Sequence, residues 1–543
     1  MTALKTVSAL IVEAIPGMRT QLRNMLGMFG ITDIHHTGSA GVAVRKLRER
    51  PFDLILCEYN LGDGQDGQHL LEDLRHHNLI PRSTMFIMVT GERSYERVVS
   101  AAELAPDDYV LKPFAADALQ ERLVRALLRR EAFLPAYLMM ENGSLQDAIA
   151  YCLESVQTHP QYQMDFLRLA AELHLLIGNG EQARAIYDKV QQARAVPWAR
   201  LGLAKAHFMD KQYAQAESVL EALVKESDLY LDAYDWLART REAAGRLADA
   251  RTTLQSAVLK APHGLRRLRR LGEMSIELGD MAHAHDALAE VVRKGKYSDF
   301  RDPEDHVRLL TAQLGLGDTE KAISTIVDME RSMSGMQQSP ICSALSRALY
   351  HTQTGDSAKA MEALQRAVGE KEGRARLSNS LKGELAKVCF AHKQDHHGRE
   401  MILEVMRNAP DEQSMEKAKA LLHEAGHGHL GDELAEHIKR EVQELVAAGA
   451  SKAKAGDYDG AVALMCEAAD RSPNNVQVLL NAALALLRHV ENRGWNSEYA
   501  ARARQHIDRA RSFDPGNRRI KPLTTLYDDI LKKYGINTTA SLV

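Results

Sequence analysis

Aromatic residues make up only 5% of this 543-residue chain, and cysteine occurs five times. Cys57, Cys152, Cys342, Cys389 and Cys466 lie far apart with no CxxC pair, which excludes a disulfide framework and reads as reduced, mostly buried thiols in a cytoplasmic protein. No apolar run approaches the ~18 residues that would span a bilayer, and Met1-Thr2-Ala3-Leu4-Lys5 leads toward a strand rather than a signal peptide. Membrane insertion and secretion are therefore not expected. Charge of one sign is lacking too: 69 Lys and Arg stand against 73 Asp and Glu, a net −4. No global field draws the protein to nucleic acid or anionic lipid.

What is present divides in two. Over the first 130 residues short apolar runs alternate with helical patterns. Strands are expected near 7–12, 33–36, 53–57, 84–89 and 108–111, with helices near 17–29, 40–50, 66–77, 93–104 and 115–130. Continuous apolar strands alternating with helices imply a doubly wound parallel sheet covered on both faces. Sites in such sheets form at the carboxyl ends of the strands. Four strands end there in reactive groups: Glu13, Glu58, Thr90 and Lys112.

Residues 1–130 resemble the receiver domain of two-component response regulators. The resemblance rests on Leu10-Ile11-Val12-Glu13, Glu58-Tyr59-Asn60-Leu61, Asp66-Gly67, Met88-Val89-Thr90 and Asp107-Asp108-Tyr109-Val110-Leu111-Lys112-Pro113-Phe114. It implies a flavodoxin-like five-stranded fold and a role for each position. Glu13 matches the first acid of the pocket and Glu58 the phosphoacceptor. Thr90, Tyr109 and Lys112 match the switch hydroxyl, rotating aromatic and amine, and the Asn60 backbone carbonyl matches a metal contact. Asp63 and Asp66 follow as other acids near the site.

Two departures make this a degenerate receiver. Ala14 replaces the second acid, so a Mg²⁺ site would be weakened, and no cofactor is expected. Glu58 is one methylene longer than the expected Asp, which misplaces the carboxylate for in-line attack and points it toward Lys112 and Thr90. Three readings stay open. Glu58 is a built-in partial mimic of the phosphorylated state, a fossil that merely pairs with Lys112, or a residue that is still phosphorylated. The face carrying Arg93, Arg97, Asp107, Asp108, Asp117, Glu121, Arg122 and Arg125 suits a homodimer or a sensor kinase, or is simply solvated.

Beyond Arg130 the strands stop and a 34-residue period appears: Leu203-Ala204, Leu237-Ala238 and Leu271-Gly272, with Ala216, Ala250 and Ala284 in step. A helix-turn-helix unit of this length resembles the tetratricopeptide repeat and implies an all-α superhelix. The anchor position is followed outward as Ala148, Ala183, Ala322, Ala360, Gly398, Ala461 and Ala503, giving about ten units. Repeats are expected over 131–410 and 446–543, an irregular segment over 411–445, an insertion between Leu487 and Tyr499, and a capping helix near 518–534. Such arrays bind protein partners along a concave groove. Groove candidates are Trp198, Lys205, Phe208, Arg239, Arg269 and Glu273, and Arg266-Arg267-Leu268-Arg269-Arg270 is a candidate for an acidic segment. The array carries no basic recognition helix for DNA.

His423-Glu424-Ala425-Gly426-His427 matches the HExxH pattern of zinc peptidases, but glycines at 426 and 428 suggest a helix end. The leading expectation is a non-enzymatic cytoplasmic signalling adaptor. A conventional phosphorylated response regulator with repeat output is the alternative, and a zinc peptidase a remote one.

Overall fold

The structure is a computed structural model that describes residues 3–62, 67–91, 106–262, 264–296, 300–409, 412–424 and 426–536. The N-terminal domain has five parallel strands in the order β2-β1-β3-β4-β5: β1 Ala9–Val12, β2 Ile34–Thr37, β3 Leu54–Glu58, β4 Met85–Thr90 and β5 Asp108–Leu111. Around them lie α1 Pro16–Met28, α2 Ala40–Glu49, α3 Gly67–His76 and α4 Ala116–Asn142. The helix expected near 93–104 lies outside the described residues.

Alternate strand residues feed two separate cores. Ala9, Ile11, Leu54, Leu56, Ile87 and Val89 pack with Leu22 and Leu26 of α1 and Leu119 and Leu123 of α4. Leu10, Val12, Ile55, Cys57, Phe86 and Met88 pack with α2 and α3 on the other face. Burial of both faces explains why the strands read as unbroken apolar runs. The strand order reverses between β1 and β3, so Glu13 and Glu58 flank the switch point.

The expected helix 115–130 continues to Asn142, so the 130/131 boundary falls inside one 27-residue helix. Its first half packs on the sheet through Leu119, Leu123 and Leu127, and its second half enters the first repeat through Ala132, Phe133 and Ala136. The two domains are therefore joined by continuous helix. Elsewhere they touch where His77 stacks on Phe300, with ring centroids 4.2 Å apart.

Ten helix pairs follow among the described residues. The end of α4 pairs with Leu145–Thr158, and the last pair is Val476–Arg493 with Ser497–Phe513, capped by Ile520–Lys533. Each anchor position lies in the second helix of its pair and is buried: Ala148, Ala183, Ala216, Ala250, Ala284, Ala322, Ala360 and Ala503 have no exposure at all, Ala461 has 1%, and Gly398 is also buried. Phe390 occupies the space at Gly398, where a Cβ would meet its ring at 2.7 Å. The turns need a left-handed residue, supplied by Gly245 (φ 79°) and Gly279 (φ 74°). Asp280 then caps the following helix by accepting from His283 N, and its carboxyl is held down at about 2, first by the His283 side chain.

The described residues of segment 411–445 form two helices, the first of them out of phase with the pairs. Glu412–Glu424 stands between two pairs, and the 26-residue His429–Lys454 begins the next. The expected insertion between Leu487 and Tyr499 is present partly as extra helix, since Val476–Arg493 runs 18 residues, and residues 494–496, with Trp495, separate it from Ser497–Phe513.

Glycine at helix crossings is required by approach rather than by flexibility. A Cβ on Gly202 would enter the ring of Tyr187, which is 2% exposed. We expect Gly202→Ala to destabilise the array by about 1–3 kcal/mol, because a packed ring must move. Urea unfolding followed by circular dichroism measures this, and a change within error would show that Tyr187 relocates freely.

Candidate functional site

The carboxyl ends of β1, β3 and β5 bring Glu13, Glu58 and Lys112 together. Glu13 is 1% exposed and Glu58 9%. The Lys112 ammonium lies between them, 2.7 Å from Glu13 Oε2 and hydrogen-bonded also to Glu58 Oε2. Each remaining carboxylate oxygen is met by a backbone donor: Ile15 N donates to Glu13 Oε1 at 2.9 Å and Asn60 N to Glu58 Oε1 at 3.2 Å. Asn60 thus engages the site through its N–H. All four carboxylate oxygens already accept from the protein.

Burial alone would lower the Lys112 pKa, but hydrogen bonds to Glu13 and Glu58 outweigh it and hold the ammonium above its ordinary range. Thr90 is buried at the end of β4, and its carbonyl accepts from Lys112 N at 2.8 Å. Tyr109 lies against the α2/α3 core, its hydroxyl buried with no hydrogen-bond partner among the described residues, and burial raises its pKa. Asp63 and Asp66 lie outside the described residues, but the glycine after them has a reason. Gly67 opens α3 so close to the Glu58 carbonyl that a side chain would collide with it.

Arg19 is a site residue that the strand-end pattern did not reveal. One helical turn into α1, its Nη1 donates to the carbonyls of Glu13 (2.6 Å) and Ala14 (2.9 Å). A cation is thus fixed beside the position of the lost acid. The only sequence signal was a basic residue six positions after the first strand-end acid.

Two stretches of the chain match known protein families. Residues 9–124 match the response regulator receiver domain family, and residues 207–272 match the tetratricopeptide repeat family. The chain is a receiver domain fused to a tetratricopeptide-type helical array. Chemotaxis protein CheY-3 of Vibrio cholerae serotype O1 is 28% identical over 119 residues, 22% of this chain and 90% of its own. Chemotaxis protein CheY of Pseudomonas aeruginosa is 28% identical over 120 residues, 22% of this chain and 95% of its own. The signal receiver domain of a Luxo repressor protein from Vibrio parahaemolyticus shares 21% identity, covering 23% of this chain and 92% of that one, with a TM-score of 0.21. Each of the three covers less than a quarter of this chain.

In the receiver, charges expected on a dimer face are partly spent internally. Asp108 pairs with Arg122 at 2.6 Å, and Asp107 accepts from Phe86 N at 2.8 Å and from Arg129 at 3.1 Å. Burial raises the Asp107 pKa against these bonds. Arg93 and Arg97 lie outside the described residues.

In the array the groove candidates fall into two groups. Trp198, Lys205, Phe208 and Arg239 converge with Trp236. Lys205 sits 5.2 Å from the Trp236 ring, Arg239 4.8 Å from it and 5.1 Å from Phe208, and Arg168 5.9 Å from Trp198. Neither Lys205 nor Arg239 makes an ion pair among the described residues. Burial lowers the Arg239 pKa. Arg269 and Glu273 belong to the second group, which is tied to the next repeat. Arg269 grips Asp305 through two bonds of 2.6 and 2.7 Å, and Glu273 pairs with Arg308 at 3.3 Å.

Two more arginines of the basic run are spent the same way, while Arg266 is exposed. Arg267 holds Asp235 of the preceding repeat at 2.8 Å, and Arg270 pairs with Glu242. A helix rich in arginine sits between acidic neighbours, and Arg267, Arg269 and Arg270 join repeats.

The HExxH pattern does not form a zinc-peptidase face. Helix Glu412–Glu424 ends immediately after His423, Gly426 turns with φ 78°, and His427 packs against Phe390 at 4.4 Å. The two histidines do not share a helical turn, as that chemistry requires.

Proposed function

We propose that this protein is a non-enzymatic cytoplasmic signalling adaptor whose receiver works without phosphorylation or Mg²⁺. Its output is protein binding by the repeat array. The single observation that carries this reading is Lys112 held between Glu13 and Glu58, with both outer carboxylate oxygens capped by backbone N–H groups.

A divalent cation does not fit that donor set. Mg²⁺ demands near-octahedral free oxygens, whereas here one acid is Ala14, the others are occupied, and Arg19 stands beside them. Glu58 meets Lys112 where a phosphoryl oxygen would, which supports the partial-mimic reading. A phosphoryl group would bring more charge and three acceptor oxygens. Helix α4 supplies the path from this pocket to the array, since one helix belongs to both cores. The partner surface is the cation and ring cluster of Trp198, Lys205, Phe208, Trp236 and Arg239, suited to an acidic, partly apolar segment. A sensor kinase and a second receiver are the further partners that this fold suits.

Incubation of the whole protein with acetyl phosphate and Mg²⁺ tests the reading. We expect intact-mass spectrometry to show no stoichiometric acyl phosphate. Stoichiometric labelling at Glu58 would overturn it in favour of a conventional regulator.

A further inference from the structure

The two ends of the repeat array meet. Arg504, in the second helix of the last pair, donates to the Met140 carbonyl at the end of α4 (3.2 Å), and its guanidinium lies over Gly143. Gln146 donates to Thr525 at 3.2 Å, Lys521 to Asn179 at 3.4 Å, and Lys532 lies 3.6 Å from Asp147. Gly516 sits directly on the Met209 carbonyl, where a Cβ would collide with backbone. These contacts join the first three repeats to the last one and the capping helix. Midway, Lys417 of the out-of-phase helix crosses to Glu277 at 2.8 Å.

The seam differs from the joints between successive repeats. Polar groups make most of the contacts named above, and the apolar clusters of the early and late repeats are separate. Lys532 and Asp147 are 61% and 50% exposed, a pair that contributes little on its own. Closure leaves a cleft of about 720 Å³, with Trp198, Lys205, Trp236 and Arg239 on one wall and Arg504 and Arg511 on the other. That volume suits a small molecule or an extended segment and is far too small for a folded domain.

We infer that the last repeat and capping helix form a latch on the first three repeats, closing the array into a ring that screens its aromatic cleft by size. The latch holds on to the end of α4, the same helix whose first half lies in the receiver core. Opening it exposes the cleft to bulky partners, and closing it admits only thin ones. The seam sets access to the cleft whether or not Glu58 is phosphorylated.

Labelling of Lys205→Cys in the full chain tests it, because all five native cysteines are buried. A small maleimide should react readily, and a polymer-conjugated maleimide roughly tenfold or more slowly, since it must wait for the ring to open. Adding Gly516→Leu, which forces the seam apart at Met209, should abolish that difference. Adding Lys532→Glu, which sets like charges across the seam without touching a core, guards against misfolding of the first variant and should narrow the difference by a smaller amount. Equal rates for both reagents in the Lys205→Cys protein would overturn the inference. So would discrimination that survives unchanged in both seam variants.

Discussion

Lys112→Ala leaves Glu13 and Glu58 facing each other without a cation, and is expected to destabilise the receiver by about 3–5 kcal/mol. The magnitude follows from burial. The lysine side chain is 13% exposed and the two glutamates 1% and 10%, so removing one partner strands two desolvated carboxylates. Backbone donors Ile15 N and Asn60 N remain but cannot neutralise charge. An exposed ion pair would give a far smaller effect. Denaturant unfolding followed by hydrogen exchange in β1, β3 and β4 measures the loss, and a change below about 1 kcal/mol would show that the pocket tolerates two unpaired acids.

The same linkage fixes the pH dependence of the native pocket. The folded Lys112 pKa is raised above its ordinary 10.5. Its stabilisation is therefore complete below that value and is lost as pH rises through the folded pKa. Near neutrality the pocket contributes fully.

Phe133→Ala is expected to loosen the junction between receiver and array by about 3–5 kcal/mol. Phe133 is 1% exposed and stacks on Phe166 with centroids 3.9 Å apart and planes 12° from parallel. Arg129 covers the ring from 5.0 Å. Truncation leaves a cavity between α4 and the helix Gln163–Leu176, where neighbours held by their own helices cannot fully collapse. Faster hydrogen exchange across 145–176, with β1 and β3 unchanged, is the expected pattern. Equal loss in both domains would mean that they unfold as one unit, and no loss would mean that α4 is held without this stack.

Much of this is legible in the sequence, and the reason is locality. Strand alternation, the acids at the ends of β1 and β3, and the Ala250 and Ala284 anchors depend on spacing within one element or one repeat. Where the reading fell short, the deciding partner came from elsewhere. The length of α4 was hidden because its face changes cores near Arg130, which reads as a boundary in one dimension. Arg269 and Glu273 looked like groove residues because their register is right, but Asp305 and Arg308 of the next repeat claim them. Arg19 went unnoticed because its targets are backbone carbonyls, which carry no sequence signature.

The sequence by itself determined the two architectures, the ring of acid, acid, hydroxyl and amine at the strand ends, and the loss of the second acid at Ala14. Only the tertiary structure decided what those groups do to one another. Lys112 reaches Glu13 across 99 residues and Glu58 across 54, and Arg504 reaches Met140 across 364. Periodicity is set by neighbours along the chain, whereas the pairing of a charge is set by whichever groups converge on it in space.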